Sequence, residues 1–244
     1  MRTEKRTMLT TRLRWLLWTA AATLWLAVWL YPVSTGLTRM MGLILFPGVW
    51  FGLIALVWRH RLWRSVMLGV TVAVSLFLAW PAKAAPDREM LRAAYLHGMT
   101  RYTGTNYYWG GESPKGIDCS GLMRRGMIDG LCLEGCRHLN PAMVRLGFDL
   151  WWHDCTARDL MDGYRGLTTR VLATSSLNAL DHSRIAPGDM AVTASGLHIL
   201  AYVGDQCWIE ADPHVGHVVT VAAPAPSNEW FTGPMKIVRW RLLE

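Results

Sequence analysis

Residues 104–122 read Gly104-Thr105-Asn106-Tyr107-Tyr108-Trp109-Gly110-Gly111-Glu112-Ser113-Pro114-Lys115-Gly116-Ile117-Asp118-Cys119-Ser120-Gly121-Leu122, a glycine-rich loop that leads into a cysteine. From Ser120 onward, Leu122, Met123, Met127 and Ile128 fall at helical spacing, which predicts a helix starting beside Cys119. A thiol in a first helical turn lies at the positive end of the helix dipole, among free backbone N–H groups. Both favour thiolate over thiol, and the same N–H groups can bind an oxyanion. A cysteine placed this way is a candidate nucleophile, whereas one in mid-helix or mid-strand is more often inert core.

Working outward, Asp87 is placed to cap a helix running through about Gly98, with Met90, Leu91, Ala94 and Tyr95 on its apolar face. Further on, Pro187-Gly188-Asp189-Met190-Ala191-Val192 reads as a turn feeding a strand, and residues 197–203, including His198, read as the next strand. Gly204-Asp205 makes a hairpin turn, and residues 207–211 run back beside it. Antiparallel pairing then brings Glu210 toward His198. A nucleophile on a helix, a base on a strand and an orienting carboxylate on its neighbour follow the logic of a catalytic triad.

Four marks occur in order: Tyr107-x-Trp109-Gly110-Gly111, Asp118-Cys119-Ser120-Gly121, Pro187-Gly188-Asp189, and the His198 hairpin with a polar residue twelve positions on. With these marks, most of 87–243 resembles the NlpC-type cell-wall peptidases, papain-like cysteine hydrolases that act on peptidoglycan stem peptides. The resemblance implies an α+β, papain-like domain with an antiparallel sheet. It implies Cys119 as nucleophile, His198 as base and Glu210 as third catalytic residue, with Tyr107, Asp118 and Ser120 lining substrate subsites and no cofactor. Members often carry His, and otherwise Asn or Gln, where Glu210 stands, and Asn106 replaces a common Pro. The connection between Gly130 and Asp181 is longer than usual, so an insertion is expected at about 131–181.

The rest of the chain is apolar. Uncharged runs at about 15–31, 40–58 and 65–80 predict three transmembrane helices, each near the lower length that spans a bilayer core of roughly 30 Å, and Pro47 is a candidate kink in the second. The 14 tryptophans gather near these runs, as interfacial Trp does. Residues 1–81 therefore read as a membrane anchor, 82–86 as a connector and 87–244 as the hydrolase domain. The net charge of +7 comes largely from flanks of the apolar runs: Arg2, Lys5, Arg6, Arg12 and Arg14 before the first, and Arg59, Arg61 and Arg64 before the third. The positive-inside rule then puts the N-terminus in the cytoplasm and the hydrolase domain outside, in the periplasm of a bacterial inner membrane. Ala82-Lys83-Ala84 resembles a signal-peptidase site. The basic residues show neither a groove-reading motif nor aromatic interleaving, which excludes a nucleic-acid partner and leaves peptidoglycan peptides and the membrane.

Cys132, Cys136 and Cys155, with His138 and His153 nearby, admit three readings: zinc ligands at irregular spacing, disulfide partners in an extracytoplasmic domain, or free thiols. Trp151 and Trp152 read as core or lid packing, and His214 and His217 as loop or strand-edge residues. Two other functions compete with peptidoglycan hydrolysis. One is acyl transfer or amide hydrolysis on a lipid or other small substrate, disfavoured because such relatives commonly place the His before the Cys. The other is a non-catalytic, membrane-tethered binding protein, disfavoured by the intact Cys119 and His198.

Overall fold

The structure, a computed structural model, describes residues 2–31, 33–81 and 86–244, with side chains from Thr11 onward. The Ala82-Lys83-Ala84 pattern and the side chains of Arg2, Lys5 and Arg6 lie outside the described residues. The chain divides into two compact units, 1–80 and 81–244.

The first unit holds α1 (Arg2–Leu30), α2 (Gly36–Leu56) and α3 (Arg61–Ala79). Stretches Thr11–Leu30, Gly36–Leu56 and Arg61–Ala79 are long and apolar enough to cross a membrane. At about 1.5 Å rise per residue, 19 to 21 residues match a hydrocarbon core of about 30 Å. Thr35 caps α2 through a capping box with Thr38, and the helix runs on through Pro47. Indole N–H groups tie the helices together: Trp18 donates to the Val49 carbonyl at 2.8 Å, Trp25 to that of Gly42 at 3.1 Å, and Trp50 to the Thr71 hydroxyl at 2.9 Å. Leu16, Ile44, Leu62 and Leu76 instead point outward. Such apolar surface is stable against lipid and unfavourable against water.

The second unit begins with α4 (Arg88–Thr100), whose cap Asp87 accepts from the Glu89 and Met90 N–H groups. The hairpin β1 (Glu112–Ser113) and β2 (Gly116–Ile117) leads into α5 (Cys119–Arg137), followed by α6 (Pro141–Trp152) and α7 (Ala157–Met161). The remaining strands are β3 (Thr168–Thr174), β4 (Met190–Thr193), β5 (Ile199–Gly204), β6 (Cys207–Asp212), β7 (His217–Ala222) and β8 (Met235–Trp240). They form one antiparallel sheet in the order β3-β8-β4-β5-β6-β7. The segment read as an insertion thus contains the end of α5, all of α6 and α7, and edge strand β3.

Burial follows the two-residue strand period on both faces. On one face Met190, Val192, Ile199, Ala201, Ile209 and Ala211 pack against Leu91, Tyr95, Met99, Leu122, Met123 and Met127 of α4 and α5. The alternate residues Ala191, Leu200, Tyr202, Trp208 and Ile237 pack against Leu177, Leu180 and Phe231. Asp205 and Gln206, with φ of 50° and 60°, make the tight turn between β5 and β6. The Pro187-Gly188-Asp189 turn is structural, because buried Asp189 takes a bidentate pair from Arg239 of β8, at 2.5 and 2.7 Å.

Candidate active site

Cys119 is the first residue of α5, and Asp118 is its cap. One Asp118 oxygen accepts from the Gly121 N–H at 2.6 Å and the Ser120 hydroxyl at 3.1 Å, while the other accepts from the Gly110 N–H at 2.8 Å. The cap therefore ties the helix start to the glycine loop. Close backbone approach explains two of the glycines: a Cβ on Gly121 would strike the Gly111 carbonyl oxygen, and one on Gly111 would sit 2.5 Å from that of Gly116. Bonds from Gly104 N to Val218 O and from Tyr107 N to Gly216 O, at 2.9 and 2.7 Å, lay the loop along edge strand β7.

The Cys119 side chain is buried, and this burial pushes its thiol up from 9.0 to about 12, with the Asp118 charge adding to the rise. Backbone N–H groups of Ile199, Ser120 and Cys119 itself act in the opposite direction. This corrects the sequence expectation: the helix start does favour thiolate, but desolvation outweighs it. Burial also raises the Tyr107 phenol, helped by the charges of Cys119, Asp118 and Asp212, so its hydroxyl stays a donor. The Asp118 carboxyl is raised by burial, against the pull of its N–H and hydroxyl donors.

On the sheet side, His198 immediately precedes β5 and is 1% exposed, and Glu210 on β6 is 0% exposed. The pairing of Ala201 with Ile209, carried one step on, sets Glu210 opposite Leu200 and diagonal to His198. His198 Nε2 lies 2.7 Å from Glu210 Oε2. A carboxylate oxygen accepts, so Nε2 is the donor in this pair. The other Glu210 oxygen accepts from Asn228 Nδ2 at 3.1 Å. The His198 ring stacks on Trp230, with centroids 4.1 Å apart, and His214 stacks on the same indole at 5.4 Å.

Cys119 opens into a cleft of about 630 Å3 that also takes in Tyr107, Trp109, Asp118, Ser120 and the segment 154–159. Arg124, 2% exposed, crosses beneath it, with Glu112 at 2.6 Å and Asp154 at 2.8 Å. The structure thus brings Tyr107, Asp118, Cys119 and Ser120 to one cleft and His198 to Glu210. Asn228, Trp230 and the Arg124–Glu112 pair were missed from sequence, because none carries a local motif. The zinc and disulfide readings do not assemble. All five cysteines are free, His138 and His153 lie beside Glu134 and Asp149, and among the described residues no cluster of three or more ligands suits a metal.

A cysteine at the start of a helix packed on an antiparallel sheet defines the papain-like fold class. A family model described as the NlpC/P60 family matches residues 104–233, more than half of the chain. The chain belongs to the NlpC/P60 family, whose members are cysteine peptidases and peptidoglycan hydrolases. Among solved structures it is similar to the peptidoglycan hydrolase RipB of Mycobacterium tuberculosis, at 17% identity and a TM-score of 0.40, over 64% of this chain and 67% of that one. The P60 domain of a Mycobacterium avium subspecies paratuberculosis antigen matches at 19% and 0.39, over 64% and 98%. An NlpC/P60 family protein of Bacillus cereus matches at 19% and 0.37, over 67% and 42%. No curated protein matches the chain.

Proposed function

We propose that this chain is a membrane-anchored cysteine hydrolase that cleaves an amide bond in peptidoglycan stem peptides, with Cys119 as nucleophile, His198 as base and Glu210 as the residue that orients it. The observation that carries the reading is the buried 2.7 Å contact between His198 Nε2 and Glu210 Oε2, beside a helix that starts at Cys119. Family membership supports the substrate class. In the anchor reading, residues 1–81 hold the membrane helices, 82–86 connect, and 87–244 form the catalytic domain. Arg59 after α2, with Arg61 and Arg64 in the first turn of α3, favours a cytoplasmic N-terminus and a periplasmic catalytic domain.

In the chemistry, His198 Nδ1 takes the Cys119 proton and the thiolate sulfur bonds to the scissile carbonyl carbon. The Cys119 backbone N–H and the Tyr107 hydroxyl are the donors for the oxyanion that forms. The carbon–nitrogen bond then breaks as the His198 imidazolium gives its proton to the leaving amine. Water, deprotonated by His198, attacks the thioester; the acid is released and the proton returns to sulfur. Asp118 and Ser120 line the cleft where the peptide binds.

The test is mass spectrometry of muropeptides incubated with the full chain in detergent, wild type against Cys119→Ala. Product masses that vanish with Cys119→Ala, a loss of about 10^4-fold or more, are expected and identify the bond cut. Equal turnover by both proteins would falsify the nucleophile. No cleavage by folded wild type would redirect the search to lipid or other acyl substrates.

A further inference from the structure

We infer that Arg158 is a specificity-determining residue of the cleft that pairs with a free carboxylate on the bound peptide. The inference rests on the proposed hydrolase and adds which substrate charge the cleft reads. Arg158 lines the same cavity as Cys119. The other charged side chains around that cavity are committed. Arg124 sits between Glu112 and Asp154 at 2.6 and 2.8 Å. Asp159 accepts from both the N–H and the hydroxyl of Thr156 at 2.7 Å, and Asp118 is the cap of α5. Among the described residues no acid pairs with Arg158. Its Nη2 donates to the Ser195 carbonyl at 2.6 Å, a bond that fixes the direction of the guanidinium without neutralising it.

The same bond places Arg158 against the loop that leads into His198. Gly196 packs on the arginine so closely that a Cβ there would lie 2.9 Å from its Nε and 3.0 Å from its Cβ. The side chain is thus held in place before substrate arrives, which lowers the entropy lost on binding. A guanidinium carries five N–H donors in a planar fork that matches a carboxylate, and the Ser195 bond uses one side of it. Stem peptides offer two such groups: the free carboxylate of a γ-linked glutamate and the C-terminal carboxylate.

Calorimetric titration of the full chain in detergent tests this, in a Cys119→Ala background where turnover does not intervene. Three synthetic stem tetrapeptides serve as probes: unmodified, with the glutamate carboxylate as carboxamide, and with the C-terminal carboxylate as carboxamide. One amidation is expected to weaken binding about tenfold or more, as for a hydrogen bond to a charged group, and it identifies which carboxylate is read. Adding Arg158→Gln should bring that peptide pair to equal affinity, and Arg158→Lys should keep part of the difference. Equal affinity for all three peptides, no binding of any, or discrimination that survives Arg158→Gln would overturn the assignment. Carboxylate discrimination without hydrolysis by the Cys119-bearing chain would strike the hydrolase reading alone; hydrolysis without discrimination would strike Arg158 alone.

Discussion

On one side of the cleft Asp118, Cys119, Ser120 and Gly121 are consecutive and are held by the loop just before them, through the Asp118 cap and the close approach of Gly111 to Gly121. The other set, His198, Glu210, Asn228 and Trp230, comes from the approach to β5, from β6 and from a distant loop. The first half depends on local backbone geometry and forms once α5 starts at the right residue. The second depends on register. A one-residue slip of β6 would turn Glu210 to the face where Ile209 and Ala211 pack against the helices and leave a carboxylate in an apolar core.

In the proposed mechanism the two halves need each other, because burial disfavours the thiolate. The thiol pKa of about 12 means that, without a base, thiolate appears only as pH rises toward that value. The largest expected effect is therefore on Cys119 labelling by iodoacetamide in His198→Ala, followed by peptide mass spectrometry. At neutral pH the rate should fall about 10^3-fold, within the range that a positioned base contributes, and climb with pH as the thiol ionises on its own. Labelling that matches wild type would show that the helix start activates Cys119 by itself, and the comparison would break.

Next in size is the buried pair beneath the nucleophile. Arg124→Met leaves Glu112 charged and 5% exposed, and should cost about 3 kcal/mol or more in denaturant unfolding. Adding Glu112→Gln should restore part of that loss, because much of the penalty lies in a buried charge that has lost its Arg124 partner. If the double variant is no more stable than the single one, Arg124 acts through packing instead.

The smallest effect is expected on the sheet side. Asn228→Ala removes a donor to Glu210 Oε1 and should lower kcat/KM on muropeptides about tenfold, with little change in KM. A larger fall than that of Glu210→Gln would mean that Asn228 does more than orient the carboxylate.

Much of this was legible because the signals are local. Asp87 ahead of an apolar helical pattern, Cys119 at the start of α5, and the turn after Gly204 each follow from a few neighbouring residues. The pairing of His198 with Glu210 followed from a short hairpin, where turn position sets register. Trp230 and Asn228 were illegible because a short helical turn in a loop has no periodicity, and their partners lie in the earlier β5–β6 hairpin region. Arg158 was overlooked for a related reason: only the fold reveals which charged groups already have partners.

Local signals in the chain set the elements and their order: three apolar helices, a capped helix starting at the cysteine, and a hairpin with His198 at its entrance and Glu210 on its return strand. These follow from periodicity, capping and turn chemistry, which act over a few residues. The tertiary structure alone decided the electrostatics. Whether Cys119 is a thiolate or a thiol depends on how far surrounding atoms exclude water, and whether Arg158 is paired or free depends on what the other acids contact. Both are sums over groups far apart in the chain, and desolvation, the largest of them at Cys119, exists only once the core has closed.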